Sequence, residues 1–92
     1  MTRIRIDQLV WDEWNTEHIK GHGVSKKEVK EAVSNILTHR MGHSKKIILI
    51  GRSGKRLIAM ILGHEKENKY YPATARDADR KERKLVYEKE EK

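Results

Sequence analysis

Cysteine is absent, which excludes disulfides and any cysteine-built zinc site. Long apolar runs are absent too. The longest, Leu57 to Leu62, is far shorter than the ~20 residues that span a bilayer. No N-terminal stretch has the basic start, apolar middle and small-residue end of a signal peptide. Gly/Ser-rich or Pro-rich linkers and internal repeats are also lacking. These absences lead us to expect a cytoplasmic protein without membrane contact, cofactor or metal. With 92 residues it is expected to be one domain over 1–92 with a thin core, its tail, residues 88–92, frayed.

Aromatics are few: Trp11, Trp14, Tyr70, Tyr71 and Tyr87. An RNA-binding sheet of the RRM type stacks bases on exposed aromatics of its central strands. Here the candidate central strands carry aliphatics and Met60, which argues against that module. Trp11 and Trp14 are expected in helix–sheet packing.

Basic charge is plentiful and unevenly placed. The chain carries a formal +7, and residues 45–64 hold five basic and no acidic side chains. A local cationic segment attracts polyanions, and counterion release makes such binding salt-dependent.

The pattern predicts seven elements. Arg3-Ile4-Arg5-Ile6 alternates as a short half-buried strand does. Asp12 caps a helix to about Lys20, ended by Gly21 and Gly23. Ser25 with Glu28 forms a capping box, and Val24 with Val29 a hydrophobic staple. Val29, Ala32, Val33, Ile36 and Leu37 form one helical stripe, so this second helix is expected to end near Thr38 to His39. Ile47–Ile50 and Leu57–Leu62 read as central strands joined by a Gly51–Gly54 turn. Lys69–Ala75 reads as a third, where Pro72 suggests an exposed edge or a bulge. Asp79 and Glu82 form a second capping box, opening a charged helix to about Glu90. The expected fold is α+β: two N-terminal helices and a C-terminal helix on a small antiparallel sheet of three to four strands.

Several landmarks resemble a known family. Trp11-Asp12-Glu13 leads a helix and His22-Gly23-Val24-Ser25 opens the next. Gly51-Arg52-Ser53 and Gly54-Lys55-Arg56 form a turn, and Thr74-Ala75-Arg76-Asp77-Ala78 precedes Glu82-Arg83. In this order they resemble the BrnT-like type II toxins, whose fold is similar to RelE-type ribonucleases. One departure is that Tyr87 stands four residues after Arg83 where three are expected, an offset of about 100° around a helix. The resemblance implies an RNA-cleaving toxin neutralised by a ribbon-helix-helix antitoxin. The pair would repress its own operon, so operator DNA would be met only through the antitoxin.

Metal-free RNA cleavage wants a base for the ribose 2′-OH, cations for charge at phosphorus and an acid for the leaving oxygen. Arg52 and Arg76, at strand ends, are candidates for gripping one phosphate from two sides, because arginine presents a fixed fork. His22 is a candidate acid or base, with backbone hydrogen bonding in a loop as its other role. Glu82 is a candidate base, with helix capping as its other role. Lys45, Lys46, Lys55, Arg56, Arg80 and Arg83 are the candidate RNA-binding cations. His18 and His22 have the i, i+4 spacing of helical metal ligands, but no third ligand stands nearby and the zincin glutamate is missing. Gly51-Arg52-Ser53-Gly54 resembles a KH-domain loop and Gly54-Lys55 a P-loop; a hairpin turn accounts for both better. Two other readings stay open: a non-catalytic interaction or co-repressor domain on the same fold, and a basic nucleic-acid-binding domain unrelated to toxins.

Overall fold

The computed structural model describes residues 4–90. In chain order the elements are β1 (Gln8–Leu9), α1 (Glu13–Gly21), α2 (Lys26–Ser34), β2 (Ile36–Met41), β3 (Lys46–Ser53), β4 (Arg56–Lys66), β5 (Lys69–Asp77) and α3 (Arg80–Glu90). The strands form one sheet in the order β1-β5-β4-β3-β2. β1 runs parallel to β5, and the other neighbours are antiparallel. The fold is therefore α+β, but the sheet is mixed and has five strands where three or four antiparallel ones are expected from the sequence.

Two departures, a displaced N-terminal strand and an added β2, have a physical origin. The alternation at the N-terminus is real, since Ile4 and Ile6 pack against the core while Arg5 is exposed. The ladder nevertheless starts further on, where Asp7 and Gln8 N–H meet Asn68 O and Val10 N–H donates to Tyr70 O at 2.8 Å. Arg3 lies outside the described residues. The second correction is at α2, which stops at Ser34. Asn35 caps it, and Ile36 and Leu37 pass into β2. A residue pair at the end of a helical stripe also suits a strand, and pairing with β3 decides between the two.

The helix starts match expectation. Asp12 and Asn15 make reciprocal capping bonds, each 2.8 Å. Asn15 is fully buried, and its amide also donates to Val10 O and Pro72 O, which locks α1 onto β5. Ser25 and Glu28 cap α2, and Asp79 and Glu82 cap α3. Pro72 is buried, not exposed. A bulge beside it lets Ile61 face Thr74 while Leu62 faces Pro72. The helix α3 stays regular through Glu90, so the expected fraying from Glu88 is not seen up to there; residues 91–92 lie outside the described residues.

Two apolar clusters lie on opposite faces of the sheet. One joins Leu49, Ile58, Met60 and Ala75 to Ile19, Val29 and Ala32 of the α1–α2 layer. The other joins Ile50, Leu57 and Ala59 to Val86 of α3. Covering both faces explains why β3 and β4 read as unbroken apolar runs. Trp11 packs beside the first cluster as expected. Trp14 does not: it is 60% exposed and stacks on His18 at 4.8 Å. Among the described residues, no helix is long and apolar enough to cross a membrane.

Candidate nucleic-acid interface

The hairpin between β3 and β4 turns through Gly54 and Lys55, with Ser53 opposite Arg56. Gly54 takes φ +61°, the positive value that tight hairpin loops require and glycine adopts without strain. This turn and the end of β5 lie at one end of the sheet, because Ile58 of β4 faces Asp77 of β5. Ala78 N–H donates to Leu57 O at 2.9 Å, so α3 starts at the same end. Arg52, Lys55, Arg56, Arg76, Arg80 and Arg83 are thereby gathered at or near one end of the fold.

Lys45 and Lys46 are not. Lys45 sits in the turn between β2 and β3 and Lys46 opens β3, at the far end of this eight-residue strand. That is ~23 Å away at the usual rise per residue. The basic segment 45–64 is continuous in sequence and split in space.

The arginines differ in what holds them. Arg56 contacts both Glu28 and Asp77. Their hydrogen bonds and charge hold both carboxyls below the usual range and push the guanidinium up. Arg76 makes a two-pronged pair with Glu82 at 2.8 and 3.1 Å, which raises its pKa. Arg52 makes a similar pair with Glu90 at 2.9 and 3.2 Å, with the same effect. Glu82 and Glu90 are eight residues apart on α3, ~12 Å along its axis. Arg52 and Arg76 therefore share the α3 face but are held at different stations, and they do not grip one point from two sides.

The histidine lies elsewhere. His22 forms the C-cap of α1, where its backbone N–H donates to Ile19 O and the next N–H, of Gly23, donates to Lys20 O. Its ring packs edge-on against His18 at 5.1 Å. The adjacent Gly23 approaches Arg56, on the side of the sheet covered by α1 and α2. Glu82 is on the opposite, α3 side. His22 and Glu82 are thus not assembled as an acid–base couple. Glu82 does cap its helix while also holding Arg76. Among the described residues, no cluster of three or more His, Asp or Glu side chains is arranged to hold a metal.

One flank of α3 has a different character. Arg80, Arg83, Lys84 and Tyr87, together with Ala78 and Glu88, line an open hollow of about 630 Å³. Arg83 Nε donates to Ala78 O at 3.0 Å, which orients its guanidinium. Among the described residues, none of these three cations has a carboxylate partner within salt-bridge distance. Tyr87 is 51% exposed. The four-residue spacing from Arg83 leaves both on this flank, so the offset noted in the sequence does not separate them. Lys84 is not singled out by the sequence. Its signal is its place on the helix relative to buried Val86, which is faint where only Leu85 and Val86 are apolar.

No family model, curated protein or solved structure matches this chain.

Proposed function

We propose that the protein is an RNA-engaging toxin of the BrnT-like, RelE-like kind, with the Arg80–Tyr87 flank of α3 as its RNA contact. The observation that carries this reading is that flank: among the described residues, three cations outside any salt bridge gather around one exposed tyrosine, with a single carboxylate, Glu88, in the same hollow. Cations on phosphates position a strand, and a tyrosine face stacks an unpaired base. The cognate partner in this reading is a ribbon-helix-helix antitoxin, which neutralises the toxin and joins it in repressing their operon.

The Arg76–Glu82 pair supplies the chemistry. A phosphate that takes the fork of Arg76 releases Glu82 from it. Glu82 then accepts the 2′-OH proton as that oxygen attacks phosphorus. The bond from phosphorus to the 5′-oxygen breaks, and the leaving oxygen takes a proton from water. The products are a 2′,3′-cyclic phosphate and a 5′-hydroxyl, and Arg76 offsets the charge gained in between.

Expression with RNA integrity followed over minutes, then assay of purified protein on RNA with and without ribosomes, tests this. Arg76→Lys with a parental melting temperature is expected to cut more slowly by on the order of a hundred- to a thousandfold, because a point charge lacks the bidentate fork. Parental cleavage by that variant removes Arg76 from the chemistry. A second reading, a non-catalytic interaction or co-repressor domain, is favoured by one observation. Arg52, Arg56 and Arg76 are all neutralised by carboxylates. A parent protein that cuts no RNA under either condition selects it.

A further inference from the structure

The two edges of the sheet are not alike. β1 closes one edge with two residues. β2 forms the other over six residues and, among the described residues, pairs only with β3. Gly42 N–H donates to Lys46 O at 2.8 Å. Hydrogen-bonded pairs alternate along an antiparallel ladder, so Arg40–Ile48 and Thr38–Ile50 are the inward-bonded pairs. The N–H and C=O groups of His39 and Met41 therefore point away from the sheet. Met41 is 69% exposed and Arg40 is exposed.

Beside this edge, on the α3 face, an open groove of about 620 Å³ runs between β2–β3 and α3. Ile48, Ile50 and Leu85 give it an apolar floor. Arg40, Lys81 and Lys89 line it with one carboxylate outside any salt bridge among the described residues, Asp79, while Glu82 in the same groove is paired with Arg76. From Ala32 to His64 the chain has no carboxylate at all. An edge of this kind repels a second copy of itself and attracts an acidic strand.

We propose that β2 is the docking edge for an extended acidic segment of a partner protein. The segment adds a sixth strand through the backbone of His39 and Met41. Alternate side chains of the added strand face the groove, where apolar ones meet Ile48 and Leu85 and carboxylates meet Arg40, Lys81 and Lys89. The proposal rests on the reading above only for the partner's role as antitoxin; the edge, its charge and its groove stand apart from the RNA contact.

The probe is a fluorescein-labelled nonapeptide in which every second residue is threonine and the residues between are alternately glutamate and valine, so that both kinds reach the groove from one face. Its binding is followed by anisotropy, together with amide exchange of the 15N-labelled protein. Binding is expected, with protection of the His39 and Met41 amides. Met41→Pro removes an outward donor and no ladder bond, so it is expected to weaken binding at least tenfold at a parental melting temperature. Should that variant fold poorly, N-methylation of alternate residues on one edge of the peptide is expected to give the same loss with the parent protein. Equal binding by a peptide with its glutamates in one block, or no protection at His39 and Met41, overturns the proposal. So does a dimer joined through β2. Arg80→Glu with Lys84→Glu is expected to leave peptide binding unchanged, so a failure of the RNA reading is told apart from a failure here.

Discussion

Gly51 shows how a residue can be noticed for the wrong reason. Its place before Arg52-Ser53-Gly54 suggests a turn, whereas the structure puts it inside β3 beneath the backbone of α2. A Cβ built there would stand 2.0 Å from Ala32 O and 2.6 Å from Ala32 C. Backbone cannot step aside as a side-chain tip can, so Gly51→Ala is expected to cost about 3 kcal/mol or more in urea unfolding. Gly21, with nothing within 4 Å of its added Cβ, is the contrast. Gly21→Ala is expected to be neutral or to stabilise by up to ~1 kcal/mol. At Arg56 the test is acid. Glu28 and Asp77 are held low by this guanidinium, so they bind protons less readily folded than unfolded. Stability from these ion pairs is full above the ordinary carboxylate range and disappears as the pH falls through and below it. Both carboxyls are partly exposed, so solvent screens the effect. Arg56→Gln is expected to lower the melting temperature at neutral pH and to shrink the gap from the parent as pH falls toward 3. A gap that stays constant with pH contradicts this origin.

Helix starts were legible in the sequence because a cap is a local device: an acceptor, three residues and a reciprocal partner. Ser25→Ala removes the acceptor for Glu28 N–H and is expected to cost ~1 kcal/mol by denaturant titration. Val29→Ala is expected to cost more, ~1–3 kcal/mol, since Val29 is fully buried against the sheet; half-buried Val33 is expected to matter less. A larger effect from Val33 would mean that α2 is rotated from the arrangement described. Helix ends were less legible. Ile36 and Leu37 extend the α2 stripe on paper, and only β3 as a neighbour turns them into a strand. The alternation of Ile4 and Ile6 announced an N-terminal strand, but where its ladder begins was hidden for a similar reason. β1 has two residues, and its pairing with β5 joins positions some sixty residues apart. No local pattern announces such a pairing.

At the scale of the whole molecule, the sequence located the basic residues but not their grouping. Lys45 and Lys46 belong to the same charged run as Lys55 and Arg56, yet an eight-residue strand carries them to the opposite end of the sheet. The arginines that looked best suited to catalysis, Arg52 and Arg76, proved to be paired with carboxylates from α3, and Arg56 with carboxylates from α2 and β5. Pairing across elements is invisible until the chain is folded. The cations beside Tyr87, which form no salt bridge among the described residues, make the location of RNA binding the central question. The direct test is the salt dependence of binding to a single-stranded RNA, measured for two charge-matched variants that melt like the parent. Arg80→Glu with Lys84→Glu is expected to weaken binding strongly and to flatten the slope of log affinity against log salt by ~0.7 for each phosphate no longer neutralised. Lys45→Glu with Lys46→Glu is expected to leave that slope close to the parent's. Equal weakening in the two variants would show attraction to overall charge, and would contradict an RNA site on α3.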